Sequence, residues 1–312
     1  METLLVENLT LSKMTVHFDS LHDLPTNETL CAFEGSAASS DESIELKVTY
    51  SLAGQPLTPN ARMRLSHLGR FQCTVCGKQT KKLFDSFCFP CLQKSAQADR
   101  CVLNPVGCHY LAGTCREPEW GQEFCYQPHY VYLAYTDKFK VGITRKQQVP
   151  VRWIDQGATM AVLLAAVGSR HQAGQLEDFL SNTFADKSHW MKMLKMGNQR
   201  PQRAEFESVR RQALEMLELA LNNDNAAQLR IQAPPVAPSA SDVRILHDAK
   251  RVELQFPLWN DLPEKIVSLN LDKTPSVESS IRGIKGQYLF LEHGVLNVRR
   301  HEGYVVNCGI GG

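Results

Sequence analysis

The chain lacks any long apolar run. No stretch approaches the roughly 20 consecutive apolar residues that a membrane-spanning helix needs. The longest candidate, residues 158–167, is short and contains Thr159. We therefore expect no membrane-spanning helix in this protein and no membrane partner.

The first residues also lack the features of a secretory signal. Glu2 and Glu7 are acidic, and no basic residue precedes the apolar residues between them. We therefore expect the chain to work in the reducing cytoplasm. In that compartment, paired Cys-x-x-Cys units bind metal more often than they form disulfides.

A strong charge bias is missing as well. The net charge is +1, with 43% hydrophobic and 21% charged residues, which are ordinary values for a soluble globular protein. Residues 129–232 are the most basic part, with 14 Lys and Arg against 10 Asp and Glu. This surplus is a mild indication of an anionic partner, and it is smaller than a dedicated nucleic-acid-binding protein would carry.

Hydrophobic periodicity and composition divide the chain into five segments of an α+β protein. Alternation around Val16 and Leu46 predicts strands near the N-terminus. The last segment alternates again without a helix signal, which predicts a small barrel or sandwich; pairing of both terminal segments into one domain is the alternative. The five are a small N-terminal β segment (1–70), a cysteine-rich zinc-binding segment (71–128), an α/β domain with a three-stranded sheet and flanking helices (129–232), a Pro-rich linker (233–242) and a C-terminal β segment (243–312).

Two Cys-x-x-Cys pairs form the clearest motif. Cys73 and Cys76 are followed, after eleven intervening residues, by Cys88 and Cys91. Each tight turn directs two thiolates to one centre, and four thiolates form the tetrahedral shell that suits zinc. Gly77 fits because such a turn often needs a positive φ. Four protein ligands leave no open position for a substrate, so we expect a structural Zn²⁺, with disulfides or free thiols as the alternative.

Four further cysteines follow within 25 residues. Their spacings match no standard knuckle, but their number favours a second structural zinc site, with buried free thiols as the alternative. His109 or His129 could replace one of the sulfur ligands. Cys31 and Cys308 stand alone, which is typical of small buried residues. The four clustered residues are Cys101, Cys108, Cys115 and Cys125.

Residues 129–167 predict a β-hairpin, a helix and a third strand. Alternation predicts strands at 130–135 and 140–144 with a polar turn between them. Gly142 inside the second strand indicates a close backbone approach or a bulge. Pro150 suits the first turn of a helix that carries Arg152. Residues 161–167 are apolar and are a candidate third strand.

A further helix is predicted from about residue 172 to residue 184. Its apolar residues cover one arc of the helical wheel. Glu177 lies at the edge of that arc, and Asp178 points to solvent. A carboxylate at the edge of a buried stripe can face a cleft, and the alternative is an ordinary boundary glutamate paired with a lysine.

Residues 187–203 combine basic side chains with an aromatic residue. This pattern can bind phosphates and stack a base. The alternative is a solvated helix face with Trp190 in the core. Residues 204–221 then carry an apolar stripe that predicts a long amphipathic helix.

An ordered set of residues between 129 and 220 resembles the GIY-YIG nuclease superfamily. The set is Val131-Tyr132, Lys140-Val141-Gly142, Thr144, Arg152 and a later helical Glu177. It is similar to a divergent branch in which lysine replaces the tyrosine of the second motif. The resemblance implies a GIY-YIG-like three-stranded sheet with flanking helices, and single-metal phosphodiester hydrolysis of DNA or RNA.

The resemblance also implies a role for each residue. Glu177 would bind a divalent cation, Mg²⁺ for this chemistry, and Arg152 would bind the non-bridging phosphate oxygens. Tyr132 would activate or orient the attacking water. Lys140 would either lower the pKa of Tyr132 and favour a phenolate, or leave the water-activating pair incomplete.

The whole chain also resembles a bacterial zinc-knuckle family known only as a domain of unknown function. This resemblance lies in residues 73–91, 113–116, 141–145, 152–158 and 284–288, and it implies no activity. Three hypotheses remain open: a metal-dependent endonuclease, a non-catalytic nucleic-acid-binding module, and a zinc-stapled protein-interaction scaffold.

Overall fold

The computed structural model describes residues 4–20, 43–222, 243–258 and 266–311. These residues form an α+β protein with sixteen strands and seven α-helices. No helix among them is both long and apolar enough to span a membrane. The predicted Pro-rich linker, residues 233–242, and Cys31 lie outside the described ranges.

The strands are β1 (Leu4–Thr10), β2 (Thr15–Ser20), β3 (Ser43–Leu52), β4 (Gln55–Leu57), β5 (Arg62–Gln72), β6 (Gln79–Thr80), β7 (His129–Tyr135), β8 (Phe139–Arg145), β9 (Met160–Val167), β10 (Arg244–Ile245), β11 (Arg251–Gln255), β12 (Ser268–Leu269), β13 (Ser276–Lys285), β14 (Tyr288–Leu291), β15 (Gly294–Asn297) and β16 (Tyr304–Gly311). The helices are α1 (Phe89–Lys94), α2 (Arg100–Leu103), α3 (Pro118–Phe124), α4 (Val151–Asp155), α5 (Arg170–Ser181), α6 (Trp190–Lys195) and α7 (Arg203–Asn222).

The strands form two sheets. In the first, the order is β1-β16-β5-β13-β14-β15-β12, and β6 also pairs with β5. In the second, the order is β2-β3-β11-β9-β7-β8, with β10 on β9 and β4 on β3. Strand β3 alternates buried and exposed residues over most of its length, as the period-two pattern predicts.

The three strands expected for the central sheet lie side by side. Strand β7 is in the middle and is antiparallel to both β8 and β9. Nearly all of their residues are buried, and helix α5 packs on all three strands. The sheet extends beyond these strands, because β11 pairs with β9 and β3 pairs with β11. Among the described residues, the sheet therefore has eight strands rather than three.

The two terminal segments share both sheets. Strands β1 and β5 pair with β16, and β5 also pairs with β13. In the second sheet, β3 runs parallel to β11. The separate barrel or sandwich that we expected of residues 243–312 is therefore wrong, because the strands of this segment complete sheets that begin elsewhere in the chain.

One hydrophobic core joins the two sheets. It contains Leu46 of β3, Met63 of β5, Trp153 of α4, Phe206 of α7 and Leu289 of β14, all almost fully buried. Folding therefore buries apolar side chains from three of the predicted segments in one core. Burial of apolar surface is the main favourable contribution to folding. The elements of the candidate site are fixed by this shared core.

Local signals explain the ends of helix α5. The hydroxyl of Ser169 accepts a hydrogen bond from the backbone N–H of Gln172 at 3.2 Å, which caps the first turn. At the other end, the side-chain amide of Asn182 donates to the carbonyl oxygens of Asp178 and Phe179. These bonds satisfy carbonyls of the last turn, so the helix ends at Ser181 rather than at the expected residue 184.

Candidate functional site

The first cysteine cluster is a closed group of four sulfurs. The ligand atoms of Cys73, Cys76, Cys88 and Cys91 all lie within 4.8 Å of one another. The backbone N–H of Gly77 donates to the carbonyl of Cys73 at 2.9 Å, and Gly77 has a φ of +69°, as the knuckle interpretation requires. Cys91 lies on α1, which begins after Cys88 with proline in its first turn.

The geometry and chemistry of this cluster fit zinc. The Sγ atoms of Cys76 and Cys88 are 3.7 Å apart, close to the edge of about 3.8 Å that a tetrahedron with Zn–S bonds of about 2.3 Å would have. Burial opposes ionisation of Cys73, but backbone N–H groups of Cys76, Cys88 and Val75 lower its pKa to about 6. The four sulfurs lie close enough together to bind a zinc ion.

The second group of cysteines surrounds one small cavity of about 10 Å³. Cys101, Cys108, Cys115 and Cys125 all line it, but they are not gathered as tightly as the first group. Here the donor atoms that lie within 4.8 Å of one another belong to Asp99, Cys101 and His109. His109 also lines this cavity.

His129 is fully buried at the start of β7 and is absent from the lining of that cavity. Its Nδ1 donates to the carbonyl oxygen of Gln127 at 2.7 Å. Burial lowers the pKa of His129 to about 4, so the imidazole is neutral. Of the two histidines considered as substitutes for a sulfur ligand, His109 is thus the one at the cavity. The lone Cys308 is buried, as expected.

Tyr132 lies on β7 directly opposite Gly142 on β8. A Cβ atom at position 142 would lie 2.4 Å from the hydroxyl oxygen of Tyr132. The tyrosine ring therefore occupies the space above Gly142, so the close approach here is made by a side chain rather than by backbone, and β8 pairs with β7 without a bulge. The ring is fully buried and meets Trp153 edge-on at a centroid distance of 6.0 Å.

The Tyr132 hydroxyl is contacted by Arg152, which lies on α4, and by Gln156, which caps the C-terminal end of α4. The Tyr132 hydroxyl donates to Oε1 of Gln156 at 2.9 Å, and the half-buried Arg152 side chain also hydrogen-bonds to this tyrosine. Gln156 follows Arg152 by four residues, so both lie on the same side of the helix. No sequence motif singled out Gln156, although its spacing from Arg152 could have identified it.

Lys140 and Glu177 lie close to the same arginine. Burial, together with Arg152, lowers the pKa of Lys140 to about 8 against the opposing charge of Glu177. Burial raises the pKa of the half-buried Glu177 carboxyl, while the charges of Lys140, Arg152 and Arg170 lower it. Asp178, the neighbour of Glu177, is exposed, as the helical wheel predicts.

The pKa of Tyr132 is raised, not lowered. Burial is the main cause, and the negative charge of Glu177 adds to it, while Arg152 acts in the opposite direction. Of the two effects considered for Lys140, the raised pKa of Tyr132 disfavours the phenolate, because burial disfavours the charged form of the phenol.

Arg170, which no sequence motif singled out, connects the candidate site to the second group of cysteines. Its backbone N–H donates to the carbonyl of Cys125 at 2.8 Å, and its Nη2 donates to the carbonyl of Val102 at 2.6 Å. Cys125, Arg152 and Glu177 are its charged or ionisable neighbours. The only local signal is its position as the first residue of α5 after the Ser169 cap.

A buried glutamine holds α4 in place from distant parts of the chain. The side-chain amide of Gln287 accepts from the backbone N–H of Met14 at 2.7 Å and donates to the carbonyl of Met14 at 3.1 Å. It also donates to Asp155 at 2.8 Å, and Asp155 pairs with Lys13 at 2.8 Å. The orientation of the helix that carries Arg152 is thus fixed by both terminal segments.

The basic segment 187–203 is partly engaged within the protein. Trp190 stacks on Tyr288, with centroids 5.7 Å apart and rings inclined by 2°. It also packs on the small apolar cluster around Phe290. Arg200 pairs with Glu253 at 2.8 Å. This arrangement favours the interpretation of Trp190 as a packing residue over base stacking.

Comparison with known proteins identifies a family. No curated protein and no solved structure gives a significant match to this chain. The family model described as "Protein of unknown function (DUF2797)" matches residues 60–306 of the 312 residues. The matched region includes both groups of cysteines, Tyr132, Arg152 and Glu177. The whole-chain resemblance to a family of that description is confirmed, and the chain belongs to the DUF2797 family.

Proposed function

We propose that Lys140 of β8, Arg152 of α4 and Glu177 of α5 bind a phosphodiester of DNA or RNA and hydrolyse it with a divalent metal ion, in a centre like that of the GIY-YIG nucleases. The observation that carries the proposal is the environment of Glu177. This half-buried carboxylate is surrounded by the positive charges of Lys140, Arg152 and Arg170.

The donor chemistry of Glu177 suits Mg²⁺. Hard cations of this size bind carboxylate oxygens and keep several waters, so one protein carboxylate is an adequate anchor. When bound, such an ion polarises a phosphoryl oxygen and shields the leaving oxygen. Burial disfavours the charged form of the Glu177 carboxyl and raises its pKa, and a bound cation would offset that cost.

The other side chains have roles that follow from their charge and hydrogen bonds. The fork of Arg152 can bind two non-bridging phosphate oxygens while charge develops on them. Tyr132 can orient a water through its hydroxyl. Lys140, with a pKa of about 8, is a better proton acceptor near neutral pH than a phenol whose pKa is raised. We therefore assign water activation to Lys140 and orientation to Tyr132.

The test is a cleavage assay on branched, single-stranded and duplex DNA and on RNA, with Mg²⁺ present. We expect Glu177→Gln and Arg152→Ala to lower cleavage about 100-fold or more. Asp178→Asn is the matched control, because it removes an exposed carboxylate from the same helix. Equal loss in Asp178→Asn, or full activity in Glu177→Gln, would contradict the assignment.

A non-catalytic nucleic-acid-binding module is the second candidate. The burial of Tyr132, its raised pKa and its bond to Gln156 favour this alternative. Salt-dependent binding of nucleic acid without cleavage would support it, because phosphate contacts release counterions. If the protein neither binds nor cleaves, the protein-interaction scaffold is the remaining hypothesis.

A further inference from the structure

The cavity beside α2 and α3 combines features of a metal site. Its size is close to that of the space needed by a single water or small ion, and four cysteine side chains line it. All four are free thiols. Four soft sulfur ligands that face one small cavity favour the binding of zinc over that of hard cations.

The polar side chains of Asp99 and His109 at this cavity already have hydrogen-bond or ion-pair partners. Oδ2 of Asp99 accepts from Nε of Arg116 at 2.7 Å and lies 3.4 Å from Nε2 of His109. Oδ1 of Asp99 caps the backbone N–H of Cys101 at 3.4 Å. Nδ1 of His109 is 2.9 Å from the hydroxyl of Thr114. Asp99 and His109 therefore support the local fold, and the thiols remain as the available ligands.

Helix α5 is attached to the same segment between the cysteines. Besides the two hydrogen bonds of Arg170 to Val102 and Cys125, the backbone of the helix sits directly on Pro105. A Cβ atom at Gly174 would lie 2.4 Å from Cβ of Pro105. Of these contacts of α5, Val102 directly follows Cys101, Cys125 is itself a contact, and Pro105 lies three residues before Cys108. An ion that fixes those cysteines would also fix the helix that carries Glu177.

We propose that Cys101, Cys108, Cys115 and Cys125 bind a second structural zinc ion, and that this ion holds α5 against the central sheet. Binding requires the sulfurs to close around the ion to Zn–S distances of about 2.3 Å. The site itself is independent of the proposed cleavage activity. Its effect on α5 can be followed by amide hydrogen exchange without an activity assay, so the two proposals can fail separately.

The zinc content of the purified full-length protein tests the ligands. We expect two zinc ions per chain in the wild type and one in both Cys115→Ser and Cys125→Ser. Cys308→Ser removes a buried cysteine outside both groups and should keep two. Retention of two ions in Cys115→Ser and Cys125→Ser would overturn the proposal. Loss of an ion in His109→Ala, with retention in Cys125→Ser, would replace it with a mixed site at Asp99, Cys101 and His109.

Amide hydrogen exchange tests the link to α5. In Cys115→Ser, we expect faster exchange across residues 170–181, because the segment that supports this helix is no longer fixed by metal. The hairpin β14–β15 lies far along the chain and should keep its protection, which shows that the variant is folded. Loss of one zinc ion with unchanged protection of α5 would overturn the bracing role and leave only the metal site.

Discussion

Lys140 makes the stability of this protein depend on pH in a way that one substitution should remove. The side chain is only 5% exposed, and burial, together with Arg152, lowers its pKa from 10.5 to about 8. A shift of this size corresponds to about 3 kcal/mol of preference for the neutral amine in the folded chain. The unfolded chain has no such preference.

The sign follows from where the proton is held. Between pH 8 and pH 10.5 the unfolded chain keeps the proton on Lys140 while the folded chain releases it, so stability rises with pH. This contribution is complete above the unfolded pKa and is lost as the pH falls through the folded pKa. From pH 7 to pH 9 it should add about 1.4 kcal/mol to the free energy of unfolding.

Lys140→Met removes the titrating group and keeps an apolar stem of similar length. Denaturant unfolding at pH 7, 8 and 9, with reductant and zinc fixed, gives the free energy of unfolding of each variant. From pH 7 to pH 9, the free energy of unfolding should rise by about 1.4 kcal/mol more in the wild type than in Lys140→Met. Lys138→Met, an exposed lysine in the same hairpin, should follow the wild type. Parallel pH profiles for the wild type and Lys140→Met would refute the reasoning.

Two further substitutions test the site and its support. Gly142→Ala should lower the free energy of unfolding by about 1–3 kcal/mol in denaturant titrations, because the new methyl group would overlap the Tyr132 ring. Gly107→Ala is the control, because its Cβ would meet nothing closer than 4.0 Å. Equal free energies of unfolding for Gly142→Ala and Gly107→Ala would contradict the packing argument. Cys88→Ser should remove one zinc ion per chain and lower the midpoint of thermal unfolding, because metal binding contributes folding free energy. Unchanged zinc content in Cys88→Ser would exclude a metal at the first cysteine cluster.

Much of the candidate site could be predicted from local signals. The central strands agree with the predicted ones to within one or two residues. The helical wheel separated Glu177 from Asp178, and Gly142 marked a tightly packed strand position, although not that the Tyr132 ring fills it. These inferences succeed because side-chain periodicity and glycine requirements depend on neighbours in the sequence.

Other parts of the site depend on distant residues and could not be predicted. Gln287, in the C-terminal segment, forms hydrogen bonds with Asp155 and Met14. Arg170, in helix α5, donates a hydrogen bond to the carbonyl oxygen of Val102 in the cysteine-rich segment. The direction of the Tyr132 pKa shift depends on how fully the ring is buried. No local pattern carries these facts, because burial and long-range hydrogen bonds are set when the elements pack.

By itself, the sequence determined the local units of this protein: the two Cys-x-x-Cys turns, the β7–β8 hairpin, the helices that carry Arg152 and Glu177, and the α+β class. Only the tertiary structure decided how these units combine. The parallel pairing of β3 with β11 joins residues about 200 positions apart, and it merges the terminal segments with the central sheet. Strand alternation specifies which face of a strand is buried, but it does not specify the partner strand, because any strand of matching pattern and length can satisfy the same backbone hydrogen bonds.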